Sequence, residues 1–179
     1  MTEVHIYQRR KTINSANDIL IRRCQSGEIN AYREMYELYA GQLFSIALRM
    51  TASKEDAEDA LHNTFIKLQS SIHQFRFESK FSSYIIRILI NVCYDIINKR
   101  KDILTLLQNE DIVFDENYEL CYSLEAAIQK LPLKMRECFI LFAVEGFKQN
   151  EIADMLNINI GSVKAHIFQA RRKLRDILQ

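Results

Sequence analysis

Glycine and proline are scarce in this sequence, and their scarcity is the strongest constraint on what the chain can fold into. There are 4 glycines and 1 proline in 179 residues. A sheet of many short strands needs frequent tight turns, so this composition favours long helices. With 48% hydrophobic and 26% charged residues, the chain can form real cores and keep a polar surface. We therefore expect an all-α fold, as one ordinary domain or two small ones.

Charge is distributed in blocks, although the formal net charge is only +1. Residues 1–101 contain 15 basic and 11 acidic side chains, and residues 130–179 contain 9 basic and 5 acidic ones. Between them, residues 102–129 contain 7 acidic side chains and no basic one. Together with the apolar periodicity, this predicts two small helical domains joined by an acidic linker. The expected bounds are an N-terminal tail at 1–16, a first domain at 17–101, a linker at 102–122 and a second domain at 123–179.

Capping signals locate the helices of the first domain. Asn30 is expected to cap one helix, and Ser53 is expected to begin the next through a capping-box-like start. A broad apolar face follows from Tyr84 to Ile97 and ends in a basic run. Within the linker, one helical turn is expected near Ile103 to Leu107.

Residues 149–168 carry the pattern of a helix-turn-helix, which indicates DNA binding. Ala153 is small enough for a close helix crossing, and Asn157 tolerates the positive φ of a tight turn. The second helix is expected to enter the major groove, where base edges are read. Its candidate base contacts are Ser162, Lys164, Ala165, His166 and Gln169, and its candidate phosphate contacts are Arg171, Arg172, Lys173 and Arg175.

Further motifs resemble one family over nearly the whole chain, from about Asp18 to Leu178. In the first half they are Asp56–Phe65, Phe75–Phe81 and Tyr84–Asn91, and in the second half Leu131-Pro132, Glu145-Gly146, Glu151–Ala153, Gly161–Lys164 and Ala170–Leu174. These segments resemble regions two and four of bacterial RNA polymerase sigma factors, in the extracytoplasmic-function group of the sigma-70 class. The resemblance implies a non-enzymatic polymerase subunit that directs initiation by recognising the −35 duplex and the melted −10 strand.

The resemblance also implies roles for residues of the first domain. Capture of a melted strand needs cations for phosphate and faces for unstacked bases, and the candidates for it are Arg76, Phe77, Glu78, Ser79, Lys80, Tyr84 and Asn91. Phe75 and Phe81 are expected to pack the domain instead. The residues expected to dock on the polymerase are Asp56, Glu58, Asp59, His62, Asn63 and Phe65. The family pattern commonly has basic residues where His166 and Gln169 stand, so a different −35 preference is expected.

The partners implied are core RNA polymerase, promoter DNA and an anti-sigma factor, with a chain that is monomeric when free. The alternative is a dimeric helix-turn-helix transcriptional regulator that reads a palindromic site, with residues 1–120 for dimerisation or ligand sensing. No cofactor or metal site is expected, because the cysteines form no C-x-x-C pair and the histidines do not cluster with them. Without a signal-peptide core or a run of 18 apolar residues, a cytoplasmic protein that does not insert into membranes is expected.

Overall fold

The computed structural model of the chain describes residues 17–106 and 124–179. Every regular element in these two ranges is a helix, which confirms the all-α prediction. The predicted tail at 1–16 and most of the predicted acidic linker lie outside the described residues.

The N-terminal helices form a bundle around one apolar core. Its elements are α1 (17–25), α2 (Ile29–Thr51), α3 (Lys54–Ser71), a short 3-10 turn (Ile72–Gln74) and α4 (Phe81–Leu106). Apolar residues at helical spacing face inward, and Met35, Leu43, Leu68 and Leu89 are almost completely buried. Burial of such a stripe supplies most of the stability of an amphipathic helix.

Of the two helix caps predicted in this bundle, the structure confirms one and contradicts the other. The Ser53 hydroxyl accepts a 3.2 Å hydrogen bond from the backbone N–H of Asp56, which confirms the expected cap of α3. The Asn30 cap was wrong, because α2 begins at Ile29 and its cap position is Glu28. At the preceding corner the Arg23 guanidinium of α1 lies 2.5 Å from the Glu28 carboxylate and 2.9 Å from that of Glu34 on α2.

Helix α4 continues to Leu106, beyond the basic run at its expected end. The turn predicted near Ile103 is therefore part of α4 and not a separate turn in the linker. No glycine or proline lies between Phe81 and Leu106, so nothing in the backbone chemistry stops the helix at Lys101.

The C-terminal helices form a second, smaller bundle. Its elements are α5 (Leu124–Gln129), α6 (Leu133–Phe139), a π-helical turn (Ile140–Val144), α7 (Gln149–Leu156) and α8 (Ile160–Leu178). Pro132 takes the cap position before α6, and Gly146 adopts a φ of +73° after the π-helical turn. Ile128, Ile140, Ile152 and Val163 are fully or almost fully buried between these helices.

The two bundles pack against each other through α4 and α2 on one side and α5, α6 and α7 on the other. Arg136 of α6 donates a 2.7 Å hydrogen bond to the carbonyl of Met50, near the C-terminal end of α2. At the rim of the same interface, Arg49 pairs with Glu125 at 3.0 Å. These contacts place the helix-turn-helix beside the N-terminal half of α4.

Candidate nucleic-acid interface

Helices α7 and α8 form the predicted helix-turn-helix. Asn157 has φ 52° and ψ 47°, so the positive-φ position expected in the turn is confirmed. The backbone N–H of Ile158 then donates to the carbonyl of Ala153 at 3.1 Å, which closes the end of α7. Asn159 begins α8, because its Oδ1 accepts a 2.7 Å hydrogen bond from the N–H of Ser162. Short polar side chains thus fix the angle at which α8 leaves the turn.

Helix α8 has one buried face and one exposed cationic face. Val163, Ile167, Ala170 and Leu174 are buried at regular helical spacing. Of the predicted DNA contacts, the exposed ones are Lys164, Ala165, Gln169, Arg171, Arg172, Lys173 and Arg175. The face carries five positive charges and no exposed acid until Asp176. It is therefore suited to the phosphates and base edges of a duplex.

Two of the residues predicted to contact bases are less exposed to solvent than the rest of this face. Ser162 and His166 are both partly buried. The Nδ1 atom of His166 is enclosed by protein and has no hydrogen-bond partner. The other side of the imidazole ring is therefore the part that can meet DNA.

The sequence analysis did not single out Phe168, which is 69% exposed on α8 between the cationic residues. A large aromatic side chain in water on a polar helix face has no role in the core of the bundle. The spacing of Val163, Ile167, Ala170 and Leu174 already places Phe168 off the buried face, and this periodicity is the signal that could have identified it. Apolar contact with a thymine methyl is one way in which such a residue reads the major groove.

The aromatic residues of the loop before α4 form a packed cluster. Phe75 and Phe81 are 6% exposed, which confirms that they pack the first bundle, and their ring centroids lie 5.3 Å apart. Tyr84 is also held, because its hydroxyl donates to the carbonyl of Ser71 at 2.9 Å. Phe77 has a φ of 61° and packs on Phe75. Phe77 and Tyr84 are both partly buried, so only part of each ring can meet a base.

Polar side chains of this loop project from the aromatic cluster. Arg76, Glu78, Ser79 and Lys80, which the sequence analysis named as candidate contacts to a DNA strand, are all exposed. The Lys80 ammonium forms a 2.7 Å ion pair with Glu151 of α7. The bond from Lys80, followed by one from the backbone N–H of Lys148, lowers the pKa of the Glu151 carboxyl group. The loop is thereby tied to the first helix of the helix-turn-helix.

Asn91 lies on the exposed side of α4, where it lines a cavity of about 220 Å³ between the two bundles. The wall from α4 includes Arg87 and Tyr94, and the wall from α6 and α7 includes Glu137 and Asn157. Asn91 is therefore the −10 candidate of α4 that faces the C-terminal helices across this cavity.

A buried acid, Glu137, lies in the wall of this cavity and was not predicted as a functional residue. It is 1% exposed, and its Oε2 accepts a 2.5 Å hydrogen bond from the hydroxyl of Tyr94 on α4. Burial raises its pKa, while the Tyr94 hydrogen bond and the Lys134 ammonium oppose that rise. Its other oxygen lies 3.3 Å from Lys134 Nζ but lacks a hydrogen bond of good geometry. No sequence pattern marks this residue, because its partner lies 43 positions away.

The predicted polymerase contacts share one helix, α3. Glu58, Asp59, His62 and Asn63 are exposed, and Asp56 and Phe65 are partly buried. Asp56 pairs with Arg100 of α4 at 3.2 Å, and Phe65 packs on Tyr36 of α2 with centroids 4.9 Å apart. The carboxylates at the start of α3 also interact favourably with the helix dipole, so they stabilise α3 whether or not they bind a partner.

No group of three or more His, Cys, Asp and Glu side chains in the described ranges is arranged to hold a metal ion. Cys24, Cys93 and Cys138 are free and buried, and burial raises the pKa of Cys24 to about 11 and of the other two to about 12. Cys121 lies outside the described residues. Within the described part of the chain, no helix is both long and apolar enough to cross a membrane.

Two family models match the chain, in the order expected. The model of Sigma-70 region 2 matches residues 35–103, and that of Sigma-70, region 4 matches residues 122–174. The chain is 28% identical to the ECF RNA polymerase sigma factor SigW of Bacillus subtilis, over 89% of this chain and 95% of SigW. It is 30% identical to the RNA polymerase sigma factor SigZ of the same organism, over 68% of this chain and 72% of SigZ.

Two solved structures share the fold. One is the sigma factor RpoE in complex with the anti-sigma factor NepR from Bartonella quintana, with a TM-score of 0.70 and 20% identity over 84% of this chain and 98% of that chain. The other is CnrH in complex with the cytosolic domain of CnrY, with a TM-score of 0.69 and 24% identity over 89% of this chain and 95% of that chain. The arrangement of helices is therefore one that sigma factors adopt.

Proposed function

The chain belongs to the sigma-70 family of RNA polymerase sigma factors, in its extracytoplasmic-function group. We propose which of its surfaces binds the −35 duplex, which captures the melted −10 strand and which docks on the polymerase. A sigma factor directs the polymerase to promoters, and the relatives named above are sigma factors and not enzymes. The chain accordingly supplies recognition, while the polymerase supplies the chemistry. The dimeric-regulator alternative is not favoured, because both sigma regions match in order.

The observation that carries the proposal is the exposed cationic face of α8 on a helix-turn-helix. Lys164, Gln169 and Phe168 lie where the N-terminal half of a recognition helix meets base edges of the −35 duplex. Arg172 and Arg175 lie further along the same face, at positions suited to phosphates. Arg171 lies over the ring of Phe142 at 5.3 Å, so it also helps to pack the domain.

The second surface is the loop before α4 together with the exposed side of α4. It combines the cations Arg76, Lys80 and Arg87 with the amide of Asn91 and the edges of Phe77 and Tyr84. A strand that has left its duplex is held by cations on the phosphates and by polar or aromatic groups on the bases. We assign capture of the melted −10 strand to this surface.

The third surface is the exposed side of α3, which carries Glu58, Asp59, His62 and Asn63. The two acids lie in the N-terminal half of α3, and exposed carboxylates suit a basic docking partner. We assign polymerase docking to this surface. The sigma factor RpoE is solved in complex with an anti-sigma factor. We propose that a protein of this kind also binds the present chain and that the free chain is a monomer.

The test is reconstitution with bacterial core RNA polymerase that lacks its own sigma subunit. The purified chain should co-elute with that core and support initiation from a specific promoter, selected from a library of upstream regions. A chain that fails to bind a cognate core, and is instead a dimer on a palindromic site, would refute the assignment.

A further inference from the structure

Helix α1 contacts the loop that carries −10 candidates, although the contacting residues are 47 and 50 positions apart in sequence. The side-chain Nε2 of Gln25 donates hydrogen bonds to the carbonyls of Ile72 at 2.9 Å and of Phe75 at 3.0 Å. These two carbonyls bracket the 3-10 turn that precedes the loop. An amide nitrogen has two N–H groups, so both donors of Gln25 are used here. The point at which the loop leaves the 3-10 turn is thereby fixed by α1.

Residues 76–79 of this loop depend on side chains for their position. Among the described residues, no hydrogen bond between two backbone groups involves residues 76–79. Phe77 has a φ of 61°, in the left-handed region that is unfavourable for a bulky side chain. Its ring packs on Phe75 with centroids 5.1 Å apart. A strained backbone persists only where its surroundings hold it, so the loop keeps this shape through its contacts with the bundle.

Arg22, about one turn before Gln25 on α1, contacts the same loop. Its guanidinium carbon lies 4.6 Å from the centroid of the Phe77 ring. Attraction between a guanidinium and an aromatic ring helps to hold Phe77 in its strained conformation. Arg22 is exposed, and within the two described ranges no carboxylate pairs with it. Its N–H groups are therefore available to an anionic ligand.

Helix α1 is itself held firmly in the N-terminal bundle. Its inner face carries Ile21 and Cys24, which are almost completely buried. Arg23 ties α1 to the start of α2 through ion pairs with Glu28 and Glu34. Arg22 and Gln25 therefore project from a fixed helix, and less of their freedom is lost on binding than for side chains of a mobile segment.

Arg22 and Phe77 together offer what a single DNA strand requires. Such a strand is bound by cations that follow its phosphates and by aromatic faces that meet its bases. Arg76 and Lys80 are exposed on the same loop, so Arg22 adds a third cation beside the partly buried ring of Phe77. All four residues lie in the N-terminal bundle.

We propose that α1 is part of the surface that captures the melted −10 strand, in which Arg22 binds a phosphate beside Phe77 and Gln25 positions the loop. This inference rests on the proposed function of the loop. Gln25 is partly buried and bonded to carbonyls of the protein, so it acts on the strand only through the loop. It is a positioning residue, whereas Arg22 contacts DNA.

The role of Arg22 is tested in the polymerase complex, on the promoter selected by reconstitution. The probes are fluorescent single-stranded oligonucleotides that carry each strand of its −10 element. For the strand that binds more tightly, Arg22→Ala should raise the Kd at least about fivefold. The slope of log K against log salt should shrink by about 0.7, as expected for one lost phosphate contact on a single strand. Arg22→Lys should keep the slope, because it retains the charge.

Arg33→Ala is the matched control, since Arg33 is an exposed arginine of the same bundle and pairs with Glu37 at 3.1 Å. It should leave both the Kd and the slope unchanged, and all variants should bind core polymerase equally well. The side chain of Arg22 is exposed, so its removal leaves the apolar core intact. Equal Kd values and slopes for Arg22→Ala and Arg33→Ala would overturn the role of Arg22.

The positioning role of Gln25 is tested by a double-mutant cycle with Arg76. Gln25→Met keeps the length of the side chain and removes both N–H donors. If Gln25 places the loop, Arg76→Ala should raise the Kd by a smaller factor in the Gln25→Met background than in the wild type. A contribution to stability alone would lower the urea midpoint and leave the two effects on the Kd additive. Additive effects, or wild-type affinity of Gln25→Met, would overturn this role.

The wild-type complex separates failure of this inference from failure of the proposed function. If it initiates and binds the strand, and the Arg22 and Gln25 variants bind equally well, only the assignment of α1 is refuted. If it initiates but has no affinity for either strand of the −10 element, the strand-capture surface is refuted and the inference with it.

Discussion

The hydroxyl of Tyr94 lies 2.5 Å from Oε2 of Glu137, and this pair joins helices of two different bundles through an acid that is 1% exposed. Around the carboxyl group, Lys134 of the same helix is 3.3 Å from the other oxygen, and His166 of α8 also acts on it electrostatically. The pair therefore joins α4 to α6, close to the recognition helix α8.

The first prediction concerns the dependence of stability on pH. Burial raises the folded-state pKa of Glu137 above its ordinary value of 4.5. Between these two pKa values the folded state binds more protons than the unfolded state, so this acid makes the free energy of unfolding fall as pH rises. Glu137→Gln should flatten that part of the profile, as measured by urea denaturation between pH 4 and 8. A variant profile parallel to the wild type would show that Glu137 does not titrate differently on folding.

The second prediction concerns Arg136, whose guanidinium donates to the carbonyls of Met50, Gln129 and Leu131. Arg136→Ala leaves these acceptors without their donor and should lower the free energy of unfolding by about 3 kcal/mol. Arg33→Ala is the control, because Arg33 forms an exposed pair with Glu37 and its loss should cost at most about 0.5 kcal/mol. Similar losses for the two variants, in chemical denaturation, would contradict the structural role of Arg136.

The third prediction concerns the turn of the helix-turn-helix. Asn157 has a φ of 52°, in the left-handed region that disfavours a Cβ-bearing residue. Asn157→Ala should destabilise the chain by about 1 kcal/mol, whereas Asn157→Gly should be close to neutral. Thermal unfolding of both variants separates the backbone effect from loss of the side chain, since both remove the amide. An equal loss for both would assign the effect to the side chain instead.

The fourth prediction concerns the cationic face of α8. Lys164→Ala/Arg172→Ala removes two cations from the duplex surface and should weaken promoter binding by the polymerase complex. The slope of log K against log salt should shrink by about 1, as expected for loss of the one phosphate contact in this pair, that of Arg172. Arg33→Ala/Lys130→Ala removes the same charge elsewhere and should leave the slope unchanged. A common slope for both double variants would exclude Lys164 and Arg172 from the DNA surface.

The same helix offers a test of base reading. Phe168→Ala should weaken binding to the preferred −35 sequence and reduce discrimination at one base pair, because an apolar contact with a thymine methyl is lost. Competition among single-base variants of the −35 element measures this change. A uniform loss over every sequence, with discrimination intact, would mean that Phe168 supports the fold or a phosphate contact and reads no base.

The fifth prediction concerns strand capture by the loop before α4. Arg76→Ala/Lys80→Ala should lose activity on a duplex promoter while still binding core polymerase, because two cations leave the surface assigned to the melted strand. Restoration on a template with a pre-melted −10 bubble would assign the defect to strand opening. Full activity of the double variant on the duplex would contradict the role of both side chains.

Local chemistry made much of this fold predictable. Ser53 and Asn157 act through their own backbone conformation and through hydrogen bonds to neighbouring residues, so their roles can be read from short motifs. The buried face of α8 follows from its spacing of apolar residues, and the exposure of its cations follows from the same periodicity. The Asn30 cap failed because α2 begins one residue earlier, at Ile29, with Glu28 at the cap position, where its carboxylate pairs with Arg23.

The sequence by itself determined the helical architecture, the helix-turn-helix and the resemblance of both halves to sigma regions, because each depends on residues close together in the chain. Only the tertiary structure decided which side of α4 meets the C-terminal helices. Tyr94 and Glu137 are separated by 43 residues, and Lys80 and Glu151 by 71. No periodicity connects such positions, since their pairing depends on how two complete bundles pack. The same packing decided that Glu137 is buried.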